Sequence, residues 1–123
     1  MRPNHLHLVV RDPRASLGYY ERWFGLELVS EHGDVLFASD RRDEQRFDLA
    51  LAPASGTPQD PPPGFHFGFR LEREQLVDEL PQRMASAGER VAELHTTPGF
   101  TWFRCQDPDG YTIEVYWEPL AST

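Results

Sequence analysis

The stretch Asp107–Trp117 reads DPDGYTIEVYW, a turn followed by a strand. Asp107-Pro108-Asp109-Gly110 supplies a side chain that bonds its own backbone, a ring that presets φ, and a glycine free to take positive φ. That is the composition of a tight turn. From Thr112 onward the residues alternate. Ile113 and Val115 suit a buried face, and Thr112, Glu114 and Tyr116 fall opposite, which is the period of an extended chain. Before the turn, Trp102–Gln106 alternates too, with Phe103 and Cys105 on one side and Trp102 and Arg104 on the other. Two strands joined by this turn are therefore predicted.

Working back toward the N-terminus, a strand is predicted near Arg90–Leu94. Before it, Leu76, Leu80 and Met84 recur at helical spacing, so Glu72–Ala87 is predicted as a helix that ends at Gly88. Pro81 inside that run should kink it or divide it near Leu80. Phe65–Leu71 is a further strand. Preceding it, PASGTPQDPPPG (Pro53–Gly64) is too rich in Pro and Gly to be anything but a connector.

The same order occurs ahead of the connector. HLHLVV (His5–Val10) has strand period. Asp12-Pro13 is a helix start, Leu17, Tyr20 and Phe24 make an apolar stripe, and Gly25 is a stop. Leu26–Ser30, Val35–Ser39 and Phe47–Leu51 are three more strands, separated by Gly33-Asp34 and by the charged run Asp40–Arg46. Strand, helix and three strands thus occur twice, with little repetition of the letters. Neither half has core enough to be stable alone. The prediction is one α+β domain over 1–123. Module one spans about 4–52, the linker 53–64 and module two about 65–118. Two βαβββ modules placed side by side would form a curved, cup-shaped mixed sheet with helices on the outer face.

Composition narrows the functional classes. A net charge of −8 over 123 residues disfavours nucleic acid and anionic membranes as partners. Every basic residue is arginine, which removes Schiff-base and lysine-base mechanisms. A single cysteine, Cys105, rules out an intrachain disulfide. The start of the chain lacks the pattern of a secretory leader, and no apolar run is long enough to span a bilayer, so a cytoplasmic location is expected.

Alternation also selects candidate site residues. With Leu6, Leu8 and Val10 facing a helix, His5 and His7 face the cup. With Phe67 and Phe69 facing a helix, His66, Gly68 and Arg70 lie opposite. Glu114 and Tyr116 do the same on the last strand. Three strands therefore place His5, His66 and Glu114 on the cup side. Two imidazoles and a carboxylate suit one divalent ion of iron, manganese, zinc, nickel or cobalt, whereas calcium asks for more oxygen ligands. The ordinary alternative stays open on these grounds alone: a hydrogen-bonded His66, and Glu114 in an arginine pair.

His7 is a candidate general base or substrate hydrogen-bond partner. Arg104 is placed to hold a substrate carboxylate or phosphate, or else to pair with Glu114 or Asp107. Trp102 and Tyr116 are candidate walls of the same cavity. His32 and His95 are expected at the surface near turns, Cys105 as packing, and Tyr19, Tyr20, Trp23 and Phe24 as core.

These segments also resemble a known family. NHLHLVVRDP (Asn4–Pro13), FHFGF (Phe65–Phe69) and DPDGYTIEV (Asp107–Val115) are similar to the opening, the second-module start and the closing hairpin of the vicinal oxygen chelate superfamily. This superfamily comprises glyoxalases, bleomycin resistance proteins and dioxygenases. The resemblance covers Asn4–Glu118. It implies two βαβββ modules, a metal on His5, His66 and Glu114, Glu114 and His7 as catalytic candidates, and a homodimer with two equivalent sites. It implies a small oxygenated substrate chelated to the metal, with lyase, isomerase or extradiol-type dioxygenase chemistry. A second class remains within the resemblance: a non-enzymatic protein of the bleomycin resistance type that sequesters a drug or metabolite.

Overall fold

The computed structural model describes residues 1–119, with Glu93 described by its backbone alone. In chain order the elements are β1 (His5–Val10), α1 (Pro13–Phe24), β2 (Glu27–His32), β3 (Val35–Ser39) and β4 (Asp48–Pro53). These are followed by β5 (His66–Arg70), α2 (Gln75–Ser86), β6 (Arg90–Thr97), β7 (Phe100–Gln106) and β8 (Thr112–Trp117). The class is α+β, built from two βαβββ modules. The chain divides into two compact units, Met1–Asp60 and Pro61–Thr123. Among the described residues no helix is long and apolar enough to cross a membrane.

In the first unit, Asp12 caps α1. Its Oδ1 accepts from the Arg14 N–H at 3.1 Å and the Ala15 N–H at 3.3 Å, and Pro13 takes the first turn, where a missing N–H costs nothing. Gly25 ends the helix at φ +68°, a conformation that side chains resist. The sheet order is β1-β4-β3-β2, with β1 parallel to β4 and the other pairs antiparallel. Leu8 pairs with Leu51, and Leu51 with Leu36. These leucines share one face and are buried; α1 packs against β3 and β4, and its Leu17, Tyr20 and Trp23 are buried as well. Tyr19 is also core, as expected.

The second unit repeats this order as β5-β8-β7-β6, again with only the first pair parallel. Phe103, Cys105, Ile113 and Val115 are buried on one face, together with Val77, Leu80 and Met84 of α2. Helix α2 departs from expectation at both its start and its proline. It begins at Gln75 rather than Glu72, with Glu74 at the cap position and no side-chain cap. It also runs undivided past Pro81. The proline forfeits one internal bond, yet Val77 before it and Met84 after it are both fully buried, and packing outweighs that loss.

Strands β2, β4, β6 and β7 are longer than the sequence suggested. β4 runs through Pro53, which pairs with Val10, so the connector begins one residue later. β6 continues to Thr97, and a register shift lies between Val91 and Leu94. His95 is therefore a strand residue rather than a turn residue, though exposed as expected.

Candidate functional site

Cross-strand pairing lays out one face of the second sheet in rows. Gln106 stands between Arg90 and Thr112, and Thr112 pairs onward with His66. In the next row Arg104 pairs with Glu114, and Glu114 with Gly68. In the third, Trp102 stands between His95 and Tyr116, and Tyr116 pairs with Arg70. Paired residues share a face, and so do residues two apart along a strand. The face opposite α2 therefore carries every site residue expected on this module: His66, Trp102, Arg104, Glu114 and Tyr116.

Glu114 is the hub. Its Oε2 lies 3.4 Å from His66 Nε2 and 3.6 Å from Arg104 Nη2. The other ring nitrogen of His66, Nδ1, is 3.1 Å from the Gly64 carbonyl. A carbonyl only accepts, so this contact places a proton on Nδ1 and turns Nε2 toward the carboxylate. Gly68 makes room in the middle of the face. A Cβ there would stand 3.1 Å from the Glu114 backbone oxygen and 3.4 Å from Tyr116 Cε1. The absence of a Cβ lets the Tyr116 ring lie close to the neighbouring strand.

An aromatic surface adjoins this hub. The His95 ring stacks on Trp102, with centroids 4.3 Å apart and planes 17° apart. On the same indole sits the Arg104 guanidinium, 5.0 Å from the ring centre. Phe100 lies 5.6 Å from Tyr116. His95, Gly68 and Arg90 were not picked out by residue type. The TTPG turn that follows His95 hid its strand character, which only pairing with Trp102 reveals.

His5 and His7 belong to the first unit, on one face of β1, both exposed. His5 Nδ1 is 2.7 Å from Asn4 Oδ1, a contact of the same kind as that of His66 with Gly64. His7 pairs with Ala50 in the backbone register. Of the three expected ligands, the structure brings His66 and Glu114 together. Among the described residues no group of three or more His, Cys, Asp or Glu side chains is assembled to hold a metal ion. The other side chain against Glu114 in its own sheet is Arg104, so the arginine pair left open by the sequence is realised at long range.

Comparison with known proteins agrees with this architecture. The chain is 30% identical over 126 residues to an uncharacterized protein of Pseudomonas aeruginosa, covering 95% of this chain and 89% of that protein. It is 24% identical over 119 residues to a manganese-dependent 2,3-dihydroxybiphenyl 1,2-dioxygenase of Geobacillus genomosp. 3, covering 93% of this chain but 36% of the dioxygenase. Among solved structures, a possible glyoxalase from Bacillus cereus superposes with a TM-score of 0.76 at 33% identity, covering 94% of this chain and 97% of that one. Residues 2–115 match the family model. With its twice-repeated βαβββ order and this match over nearly its whole length, the chain belongs to the Glyoxalase/Bleomycin resistance protein/Dioxygenase superfamily.

Proposed function

We propose that this protein is a metal-dependent enzyme acting on a small oxygenated substrate. His66 and Glu114 are two of its ligands, and His5 is the third, from the same chain or from a second copy in a homodimer. The observation that carries this is the spacing of His66 Nε2 and Glu114 Oε2, 3.4 Å, with Nδ1 turned to a carbonyl. A ring nitrogen and a carboxylate oxygen at that distance face each other across a cation or a proton. Two ligand atoms each about 2.1 Å from one tetrahedral ion would stand about 3.4 Å apart. His5 is prepared in the same way, with Nδ1 occupied by Asn4 and Nε2 left for a ligand role.

A divalent ion of iron, manganese, zinc, nickel or cobalt suits this donor set, and when bound it polarises substrate oxygens as a Lewis acid. The side chains have separate tasks. Trp102 and Tyr116 wall the substrate side, and Arg104 orients the substrate. His7 serves as the general base or as a hydrogen-bond partner. Lyase or isomerase chemistry and extradiol-type ring cleavage both fit this set.

Metal analysis of freshly purified protein tests the proposal, followed by a panel of catechols and epoxides. A metal content near one equivalent per chain is expected, together with its loss in His66→Ala and Glu114→Gln. Less than roughly a tenth of an equivalent, with none gained on incubation, would sink the metal role. Ligand binding that persists undiminished in metal-free His66→Ala would instead support a sequestering protein of the bleomycin resistance type.

A further inference from the structure

Beside the His66–Glu114 pair lies a groove of about 370 Å³ whose described lining includes Arg90, Arg104, Gln106 and Thr112. All four project from the face that carries Glu114, because Arg90 pairs with Gln106, Gln106 with Thr112, and Arg104 lies two residues from Gln106. The register shift between Val91 and Leu94 falls opposite Arg104, and Ala92 within it also lines the groove. A bulge here interrupts the ladder and bends the strand.

The lining has the electrostatic character of an anion site. It carries two guanidinium groups and, among its described residues, no carboxylate. This stands against a chain whose net charge is −8, with twenty acidic residues to twelve basic. Each arginine has a structural anchor that engages only part of its fork. Arg90 donates through Nη2 to the Asp107 carbonyl at 3.1 Å, which anchors it at one corner of its fork. Arg104 Nε is buried without a hydrogen-bond partner, and Nη2 stands 3.6 Å from Glu114, too long for a hydrogen bond. The indole of Trp102 fixes the guanidinium from below without occupying its N–H edge. The Arg104 side chain as a whole is 42% exposed, so its outer N–H groups are open to an oxygen ligand.

We propose that this groove is an oxyanion subsite. Arg104 and Arg90 seat a carboxylate or phosphate group of the ligand, with Gln106 and Thr112 as neutral hydrogen-bond partners. Placing it as part of a substrate site rests on the metal reading above; the capture of the anion does not. The subsite defines the substrate as a small anion. Its charged group sits one residue row from Glu114, and its remainder extends toward Trp102 and Tyr116. It also gives Arg104 a second state. Once Glu114 is engaged by a cation, the guanidinium turns wholly to the ligand, so metal and anion should bind with positive coupling.

The test is calorimetric titration of the metal-free protein at low ionic strength with two probes, inorganic phosphate and benzoate. Wild type is expected to bind at least one probe saturably, with Kd on the order of millimolar or tighter. Phosphate binding more tightly identifies a phosphate monoester as the source, and benzoate binding more tightly identifies an aromatic carboxylate. Arg104→Gln and Arg90→Gln should each weaken binding about ten-fold, the worth of one charge-assisted contact. Arg41→Gln, which removes an exposed arginine paired with Asp43, should leave it unchanged. If Arg104→Gln fails to fold, Arg90→Gln reads the same groove from an exposed position. No saturable binding of either probe, or Arg90→Gln binding like wild type, overturns the subsite. Metal content measured on the same samples reports separately on the metal proposal, so either can fail alone.

Discussion

His66 and Glu114 meet diagonally across two parallel strands, Nε2 to Oε2 at 3.4 Å, although 48 positions separate them in the chain. The strands β5 and β8 are paired so that His66 faces Thr112 and Gly68 faces Glu114. The imidazole reaches over Thr112 toward the carboxylate two residues on. This contact depends on the parallel register, and a slip of one residue would send Glu114 to the helix side.

The metal proposal makes a prediction about residues that touch no metal. Asn4 holds His5 Nδ1 at 2.7 Å, and an outer partner of this kind fixes the ring and its tautomer. Asn4→Ala should lower metal affinity by about 10- to 100-fold without changing the fold. Competition with a metallochromic chelator, alongside far-UV dichroism, measures both. Equal affinity in the variant would remove His5 from the ligand set.

Gly68→Ala probes the close approach of β5 to β8. The new Cβ would stand 3.1 Å from a backbone oxygen of the paired strand, which cannot swing aside, and 3.4 Å from the Tyr116 ring, which can. A loss of about 1–3 kcal/mol is expected, the usual cost of overpacking. Urea denaturation checks it, and a change in tyrosine fluorescence should accompany it. A variant as stable as wild type would mean that the strands have room the geometry denies.

Adjacent residues on β7 should behave oppositely. Phe103 is fully buried under α2, whereas Trp102 lies on the open face against His95 and Arg104. Phe103→Ala should cost about 3–5 kcal/mol of stability. Trp102→Ala should cost distinctly less and show its effect in ligand affinity. Paired denaturation and titration curves separate the two; similar stability losses would contradict the assignment of faces.

Asp12 offers a local test. Its carboxylate accepts two N–H groups at the start of α1, so Asp12→Ala should destabilise the protein by about 1 kcal/mol. Asp12→Asn, which keeps the acceptor oxygen, should recover most of that loss. Thermal melts of the two variants decide it, and equal losses would deny the capping role.

Much of this protein is local and therefore legible in the letters. The αL stop at Gly25, the cap at Asp12, the turn at Asp107–Gly110 and the alternation in β1, β5, β7 and β8 each depend on residues within a few positions. Side-chain direction along a strand follows from a period of two, whatever the strand pairs with. That is why His66, Arg104, Trp102, Glu114 and Tyr116 could be assigned to one side from sequence, and why the doubled strand-helix-strand order announced the class.

Register and reach were decided only by the tertiary structure. Nothing near His95 signals that it extends β6 and stacks on Trp102, because the partner lies across a turn and the nearby Pro and Gly suggest a break. The shift between Val91 and Leu94 is likewise a property of two strands together; it falls opposite Arg104, and Ala92 within it lines the same groove. The sequence raised two fates for Glu114, metal ligand or arginine partner. The fold sets both His66 and Arg104 within 4 Å of the same oxygen. His66 and Glu114 could be named from alternation because facing is local. Their separation of 3.4 Å needed the parallel pairing of β5 with β8, since distance between strands depends on which residues pair and not on which side they face.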